Sequence, residues 1–302
     1  MKDLIIIGAG PAGLSAAVYA ARAGLDFVLL ENNYMAGGQV LTTYEVDNYL
    51  GLPGSNGFDM GMAFAEHAQK LGVEIMNVQV EGITKDGDSY VVTAKEEQFT
   101  GKAVILATGA YNRTLDIPGE KELKGSGVGY CATCDGAFYR GKVTAVIGGS
   151  YQAVEDAVYL AGLCKKVYLI HRRDRLRAGA VLEKKLLSLE NVEVVWNHIP
   201  LEIKGENKVE SILLQEVHDK TVKELKTDGV FVAVGTKPNT ALVQGLVALD
   251  EQGYVVAGED CAASQPGFFA AGDLRTKQLR QIVTAVADGA NAATSVWNYI
   301  NG

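Results

Sequence analysis

LIIIGAGPAG, residues 4–13, sets an apolar, largely β-branched run directly before Gly8, Gly10 and Gly13 in GxGxxG spacing. The LSAAVYAARAG that follows, residues 14–24, has helix composition and ends on a glycine, so the segment reads as strand, tight turn and helix. DFVLLE, residues 26–31, closes the unit as a second strand and sets Glu31 where an acid can accept hydrogen bonds from a ribose. Glycine turns are common, but strand, helix and acid in register make this one a dinucleotide-binding unit.

The unit recurs. VTAVIGGSYQAVEDAVYLAGLCKKVYLIHRRDRLRA, residues 143–178, repeats the pattern with Gly148 falling 140 residues after Gly8, and its turn carries Gly148, Gly149, Ser150 and Ala153 at the fingerprint positions. The same offset takes Glu31 to His171, where the chain turns from acidic to basic in HRRDRLR, with Arg172, Arg173 and Arg177. A carboxylate at this corner would repel a ribose phosphate. Guanidinium forks bind one bidentately, each charged hydrogen bond contributing roughly 1.5–3 kcal/mol. The first unit therefore suits a free ribose, as in FAD or NAD, and the second a 2′-phosphate, as in NADP.

Two such units predict an α/β protein of two Rossmann-like nucleotide-binding domains. The Pro-Gly punctuation of LDIPGE (115–120) opens the second, and VFVAVGTKPNTALVQG (230–245) ends it, echoing AVILATGAYNRTLDIPG (103–119). The tail holds a buried strand, FFAAGDL (268–274), and a helix over RQIVTAVADGANAATSVWNYI (280–300), too little for a further domain. It is expected to pack back on the first unit. The expected boundaries are thus 1–114 with 244–302 for the first domain and 115–243 for a second domain inserted into it, a geometry that permits hinge motion.

With 302 residues, 48% apolar and 21% charged, the composition is that of a well-buried globular protein. A net charge of -8 argues against a polyanion such as nucleic acid as partner. No stretch has the length of a membrane span and the N-terminus lacks the pattern of a secretory signal, so a soluble, cytoplasmic protein is expected. Two of its 4 cysteines sit in GYCATCDGAFYRGK, residues 129–142, as Cys131 and Cys134 with Asp135 directly behind. In a reducing compartment such a pair reads as catalytic or metal-binding. Cys164 and Cys261 form no second CxxC, and His67, His171, His198 and His218 are scattered, so no metal is expected. A CxxC pair can instead alternate between disulfide and dithiol, accepting two electrons and passing them on by thiolate attack.

GAGPAG, GGQ (37–39), ATG (107–109), CATCDG, HRRxxxR, AAGD and RQ occur in an order and spacing that resemble the low-molecular-weight thioredoxin reductases over essentially the whole chain. The resemblance implies an FAD domain built from both chain ends, an inserted NADPH domain carrying the cysteines, and a homodimer. It implies that Gly8, Gly10, Gly13 and Glu31 hold the FAD pyrophosphate and ribose, with Gly38, Gln39 and Asn48 near the flavin ring. Thr108 and Gly109 join this set, together with Gly272 and Asp273 at the ribitol and Arg280 and Gln281 at the start of the last helix. For NADPH the second fingerprint and its basic corner give Gly148, Gly149, Ser150, Ala153, His171, Arg172, Arg173 and Arg177. It gives Cys134 the flavin-facing role, Cys131 the attack on thioredoxin or a thioredoxin-like disulfide protein, and Asp135 the handling of their protons.

One position departs from the family pattern. Its second fingerprint reads GxGxxA, but Gly10's counterpart here is Ser150, and Tyr151 and Gln152 replace the usual small polar pair. A Cβ at a point of close approach costs on the order of 1–3 kcal/mol unless the pocket shifts, about one to two orders of magnitude in affinity. A ferredoxin-fed flavin thioredoxin reductase is therefore carried as a second reading and a dithiol oxidase as a third. A flavin-bearing sensor would leave the cysteines and arginines without a task. The flavoprotein arm of a peroxide-reducing system would be expected to carry a further thioredoxin-like N-terminal region.

Overall fold

The computed structural model describes residues 1–302 apart from Tyr44, Glu45, Asp47 and Glu96. The described residues form six α-helices: α1 (Pro11–Arg22), α2 (Gly57–Lys70), α3 (Ala132–Asp135), α4 (Tyr151–Ala161), α5 (Ala180–Leu187) and α6 (Ile282–Asn301). None of them is long and apolar enough to cross a membrane. The chain divides into two compact units, Met1–Tyr111 with Lys237–Gly302, and Asn112–Thr236. These crossings fall a few residues before the boundaries read from the Pro-Gly punctuation. Asn239 explains the later one: its amide donates to Thr108 O at 2.8 Å and its backbone N–H to Gly109 O at 2.9 Å, which ties it to the first unit.

In the first unit the strands Ile75–Asn77, Phe27–Glu31, Lys2–Ile7, Glu97–Leu106 and Phe268–Ala270 lie side by side in that order, all parallel. The hairpin Gly82–Asp86 and Ser89–Ala94 pairs antiparallel with the first half of Glu97–Leu106. A parallel strand covered on both faces must be apolar throughout, and this is why LIII shows no alternation. Leu4 and Ile6 pack on the face that α1 and α6 cover, while Ile5 and Ile7 pack on the other with Tyr90, Val255 and Phe268.

The second unit repeats the order: Val192–Val195, Lys166–Ile170, Val143–Ile147, Gly229–Val232 and Val128–Gly129, again all parallel. A three-stranded antiparallel sheet, His198–Lys204, Ser211–Glu216 and Val222–Lys226, accompanies it. Both units are Rossmann-like, and the second is inserted into the first. The last position in each sheet is filled from outside the unit's own strand run. In the first unit the strand comes from the chain's tail, and in the second from the residues just before the cysteine pair.

The crossing of α1 and α6 is made of small side chains: Ala12, Ala16 and Ala20 meet a surface containing Ala285, Ala292 and Ala293. Gly289 sits at the closest point, where an added Cβ would lie 2.1 Å from Ala12 O and 2.8 Å from Ala16 N. In a free helix, glycine to alanine stabilises by about 1 kcal/mol. Here the backbone of α1 stands in the way, so Gly289→Ala should lower stability, by about 1–3 kcal/mol. Urea denaturation of the two proteins measures it, and a more stable variant would show that the helices are not in contact at this point.

Candidate active site

In the first unit, Gly8 adopts φ +101°, and a Cβ there would lie 2.6 Å from Ala107 O. A Cβ on Gly13 would lie 1.8 Å from Gly8 O, so helix and strand approach through bare backbone. Gly10 is different. It is the N-cap of α1, has no side-chain cap, and a Cβ would find nothing nearer than Gly38 Cα at 3.9 Å. Space and uncapped helix amides together make an anion cradle. Glu31 closes the corner, its buried carboxylate accepting from Ala9 N at 2.6 Å and from Asn33 N and Nδ2, both at 2.8 Å.

Other sequence-predicted residues gather around this cradle. Gly37 N donates to Ala9 O at 2.8 Å, which seats Gly38 against Gly10, and the Gln39 amide donates to Ala110 O. Gly109 has φ +68°, and Thr108 Oγ1 donates to Asn239 O at 2.7 Å. The Asn48 amide donates to Gln281 Oε1 at 3.0 Å, and Gln281 caps α6. Arg280 donates to Asp273 O at 3.1 Å and stacks 4.1 Å from the centre of the Tyr254 ring. Asp273 Oδ1 is buried without a partner among the described residues. Burial pushes this carboxyl up, with Lys277 and Arg280 opposing. An orphaned buried acceptor costs about 1–3 kcal/mol, which a ligand hydroxyl would relieve. The open glycine, the uncapped helix and the orphaned acceptor fit a dinucleotide bearing a polyol, as FAD does.

Sequence reasoning missed the group that shapes the Gly272–Asp273 turn. Asp288, on α6, accepts from Gly272 N at 2.8 Å, from Arg275 at 2.6 and 2.9 Å and from Lys277 at 2.7 Å, all in the interior. The only signal was an acid inside the small apolar run TAVADGANAA.

The second unit shows the same turn with different contents. A Cβ on Gly148 would lie 2.5 Å from Ala233 O and 2.6 Å from the Cβ of Ala153, so these two residues make the close packing. Ser150, unlike Gly10, caps its own helix, its hydroxyl accepting from Ala153 N at 3.4 Å. Gln152 is turned to Asp156, donating to it at 2.9 Å, and Tyr151 is exposed. His171 is buried against Gly149, with Nε2 3.1 Å from Arg175 O. Burial and the neighbouring arginines hold its imidazole below the usual range, so it is a neutral wall. Arg172, Arg173 and Arg177 are exposed, and none makes an ion pair among the described residues.

In the same unit Cys131 and Cys134 form a disulfide. Cys131 caps the single turn α3, and its carbonyl accepts from Cys134 N at 3.2 Å and Asp135 N at 3.1 Å. Burial pushes Asp135 up to about 6. Roughly a tenth of it is then protonated at neutral pH, enough to serve as an acid as well as a base. Cys164 and Cys261 are buried thiols, the latter pushed up to about 12 by burial, and so poor nucleophiles.

Residues 2–289 match the family described as pyridine nucleotide-disulphide oxidoreductase. A relative named thioredoxin reductase, from Bacillus subtilis, is 43% identical over 99% of this chain and 94% of its own. The crystal structure of thioredoxin reductase from Streptococcus pyogenes is 40% identical, covers 99% of this chain and 98% of its own, and superposes with a TM-score of 0.94. A ferredoxin-flavin thioredoxin reductase from Clostridium acetobutylicum is 30% identical over 99% of this chain and 97% of its own, with a TM-score of 0.55.

The raised Asp135 makes a pH prediction with a definite sign. The folded protein holds this proton up to about pH 6 while the unfolded chain releases it near 3.8. The group's contribution to stability is therefore full below the unfolded value and lost as pH rises through the folded one. Asp135→Asn cannot ionise, so its stability relative to the parent should rise between pH 4 and pH 6 and then level off. Asp156, also pushed up to about 6 by burial, is common to both proteins and cancels. Denaturation curves that stay parallel across this range would mean that Asp135 is solvated like a surface acid.

Proposed function

The chain belongs to the pyridine nucleotide-disulphide oxidoreductase family, and we propose that within it this protein is a thioredoxin reductase. It takes electrons from NADPH and delivers them, by way of FAD and the Cys131–Cys134 disulfide, to oxidised thioredoxin or a thioredoxin-like protein. The observation that carries this reading is the disulfide on its single helical turn, backed by a half-buried acid, in the unit that also bears three exposed arginines. The enzyme is a soluble, cytoplasmic homodimer in this reading, with neither nucleic acid nor membrane as partner.

FAD would be held by Gly8, Gly10, Gly13, Glu31, Gly38, Gln39, Asn48, Thr108, Gly109, Gly272, Asp273, Arg280 and Gln281. When bound it supplies a two-electron carrier between a nicotinamide and a disulfide. Arg172, Arg173 and Arg177 grip the 2′-phosphate of NADPH at the turn of Gly148, Gly149, Ser150 and Ala153, with His171 as its wall. Two electrons and two protons convert the pair to a dithiol. The Cys131 thiolate then attacks one sulfur of the partner disulfide, forming a mixed disulfide and releasing one partner thiolate, which takes up a proton. Asp135 accepts the proton of the Cys134 thiol, and Cys134 attacks Cys131 Sγ, closing the pair and releasing the second partner thiolate. Because Cys134 must face a flavin in one unit while Cys131 must reach a bulky protein outside, the inserted unit turns on its two linkers between two arrangements.

The ferredoxin-fed alternative is not favoured. Ser150 weakens the pyrophosphate turn, but a reductase that never met NADPH would have no use for three exposed arginines at the ribose corner. The dithiol oxidase fails on the same residues.

Two experiments test the reading. Cys134→Ser should retain bound FAD and its reduction by NADPH while losing thioredoxin reduction, and a variant with near-parental thioredoxin reduction would refute the assignment of Cys134. Arg172→Ala with Arg173→Ala should weaken NADPH by up to about 3–6 kcal/mol, the loss of two charged hydrogen bonds, and NADH far less. Equal losses in KM for both nucleotides would assign these arginines another task.

A further inference from the structure

Glu120 closes the LDIPGE segment and takes no part in the chemistry described so far, yet its side chain is 0% exposed. Oε1 accepts from Leu115 N at 3.0 Å and from the Tyr130 hydroxyl at 2.9 Å. Oε2 accepts from Leu115 N at 2.9 Å and from Asp116 N at 2.8 Å. A buried carboxylate is tolerated only when its lone pairs are met, and bonds to a charged acceptor are the strong kind. These partners come from two separate places. Leu115 and Asp116 belong to the stretch by which the chain first passes into the second unit, and Asp116 is held there at φ +55°, a left-handed conformation. Tyr130 immediately precedes Cys131. Its phenol is pushed well above the usual range by burial and by the bond to Glu120, so it remains a donor.

We propose that Glu120 is a positioning residue for the redox pair: through the Tyr130 hydroxyl it fixes the backbone that delivers Cys131, and through Leu115 and Asp116 it ties that backbone to the incoming linker. The cysteine loop is held on one side by α3 and on the other by this contact, by the two-residue strand Val128–Gly129 and by the packing of the Tyr130 ring on the apolar cluster around Val128 and Ile212. How firmly a disulfide closes depends on how well the fold keeps its two sulfurs within reach, so the contact sets the balance between disulfide and dithiol. The proposal rests on the reading of Cys131–Cys134 as a redox relay.

The test is the equilibrium of the pair with glutathione, in which the protein disulfide and two glutathione thiols give two protein thiols and one glutathione disulfide. Anaerobic samples are quenched in acid and alkylated, and the dithiol is counted by mass spectrometry. Tyr130→Phe cuts only the cysteine end of the contact. It should shift the equilibrium toward dithiol on the order of tenfold, the scale of one hydrogen bond to a charged group. Glu120→Gln should shift less than Tyr130→Phe, since its amide oxygen can still accept from Leu115 and Asp116 and its NH2 keeps a neutral hydrogen bond to the phenol oxygen. Glu120→Ala should fall at least as far as Tyr130→Phe. If it does not fold, the other two variants decide. An unchanged equilibrium in Tyr130→Phe, or a loss in Glu120→Gln equal to that in Tyr130→Phe, overturns the proposal even where thermal midpoints move. A double variant, Cys131→Ser with Cys134→Ser, that still reduces thioredoxin overturns the relay reading itself, and the proposal with it.

Discussion

Twice in this chain a strand turns into a helix so tightly that the turn leaves no room for one more methyl group. At Gly13 a single methyl group would come within 1.8 Å of a carbonyl oxygen, and at Gly148 within 2.5 Å of another. That close approach fixes the angle at which each helix leaves its turn. It therefore fixes where the helix amides point and where the second strand ends. Both nucleotide cradles, and the ribose corners beside them, follow from this one steric constraint.

What fills the two cradles then diverges. In the first, the capping position is a glycine facing open space and the corner is a carboxylate held by three N–H groups. In the second, Ser150 turns its hydroxyl back on its own helix, the corner is a buried neutral imidazole, and the charge has moved outward to exposed guanidinium groups. The same backbone thus presents an acceptor suited to a hydroxyl in one unit and cations suited to a phosphate in the other. Electrostatics separates them while the topology stays constant.

Much of this was legible in the chain because it rests on local pattern. A β-branched run, glycines at fixed offsets and an acid or base at the end of the next strand are neighbours in sequence, and the repeat 140 residues later carried the insertion with them. The disulfide was legible as a CxxC, and Asn48 and Gln281, which the family resemblance assigns to the flavin site, are hydrogen-bonded to each other. Asp288 and Glu120 were not legible as partners. Each carboxylate gathers donors from segments that only folding brings together, and their sequence contexts read as a small-residue helix and a Pro-Gly turn. The linker boundaries shifted for the same reason, since Asn239 belongs where its hydrogen bonds to Thr108 and Gly109 hold it.

The central claim is that electrons arrive from NADPH at a second cradle whose glycine has become Ser150. Anaerobic titration of the FAD-loaded protein with NADPH, NADH and reduced ferredoxin, followed by the visible absorbance of the flavin, tests it most directly. The account predicts bleaching by NADPH at near-stoichiometric amounts, by NADH only at much higher concentration, and none by ferredoxin. Bleaching by reduced ferredoxin with NADPH inert would contradict it.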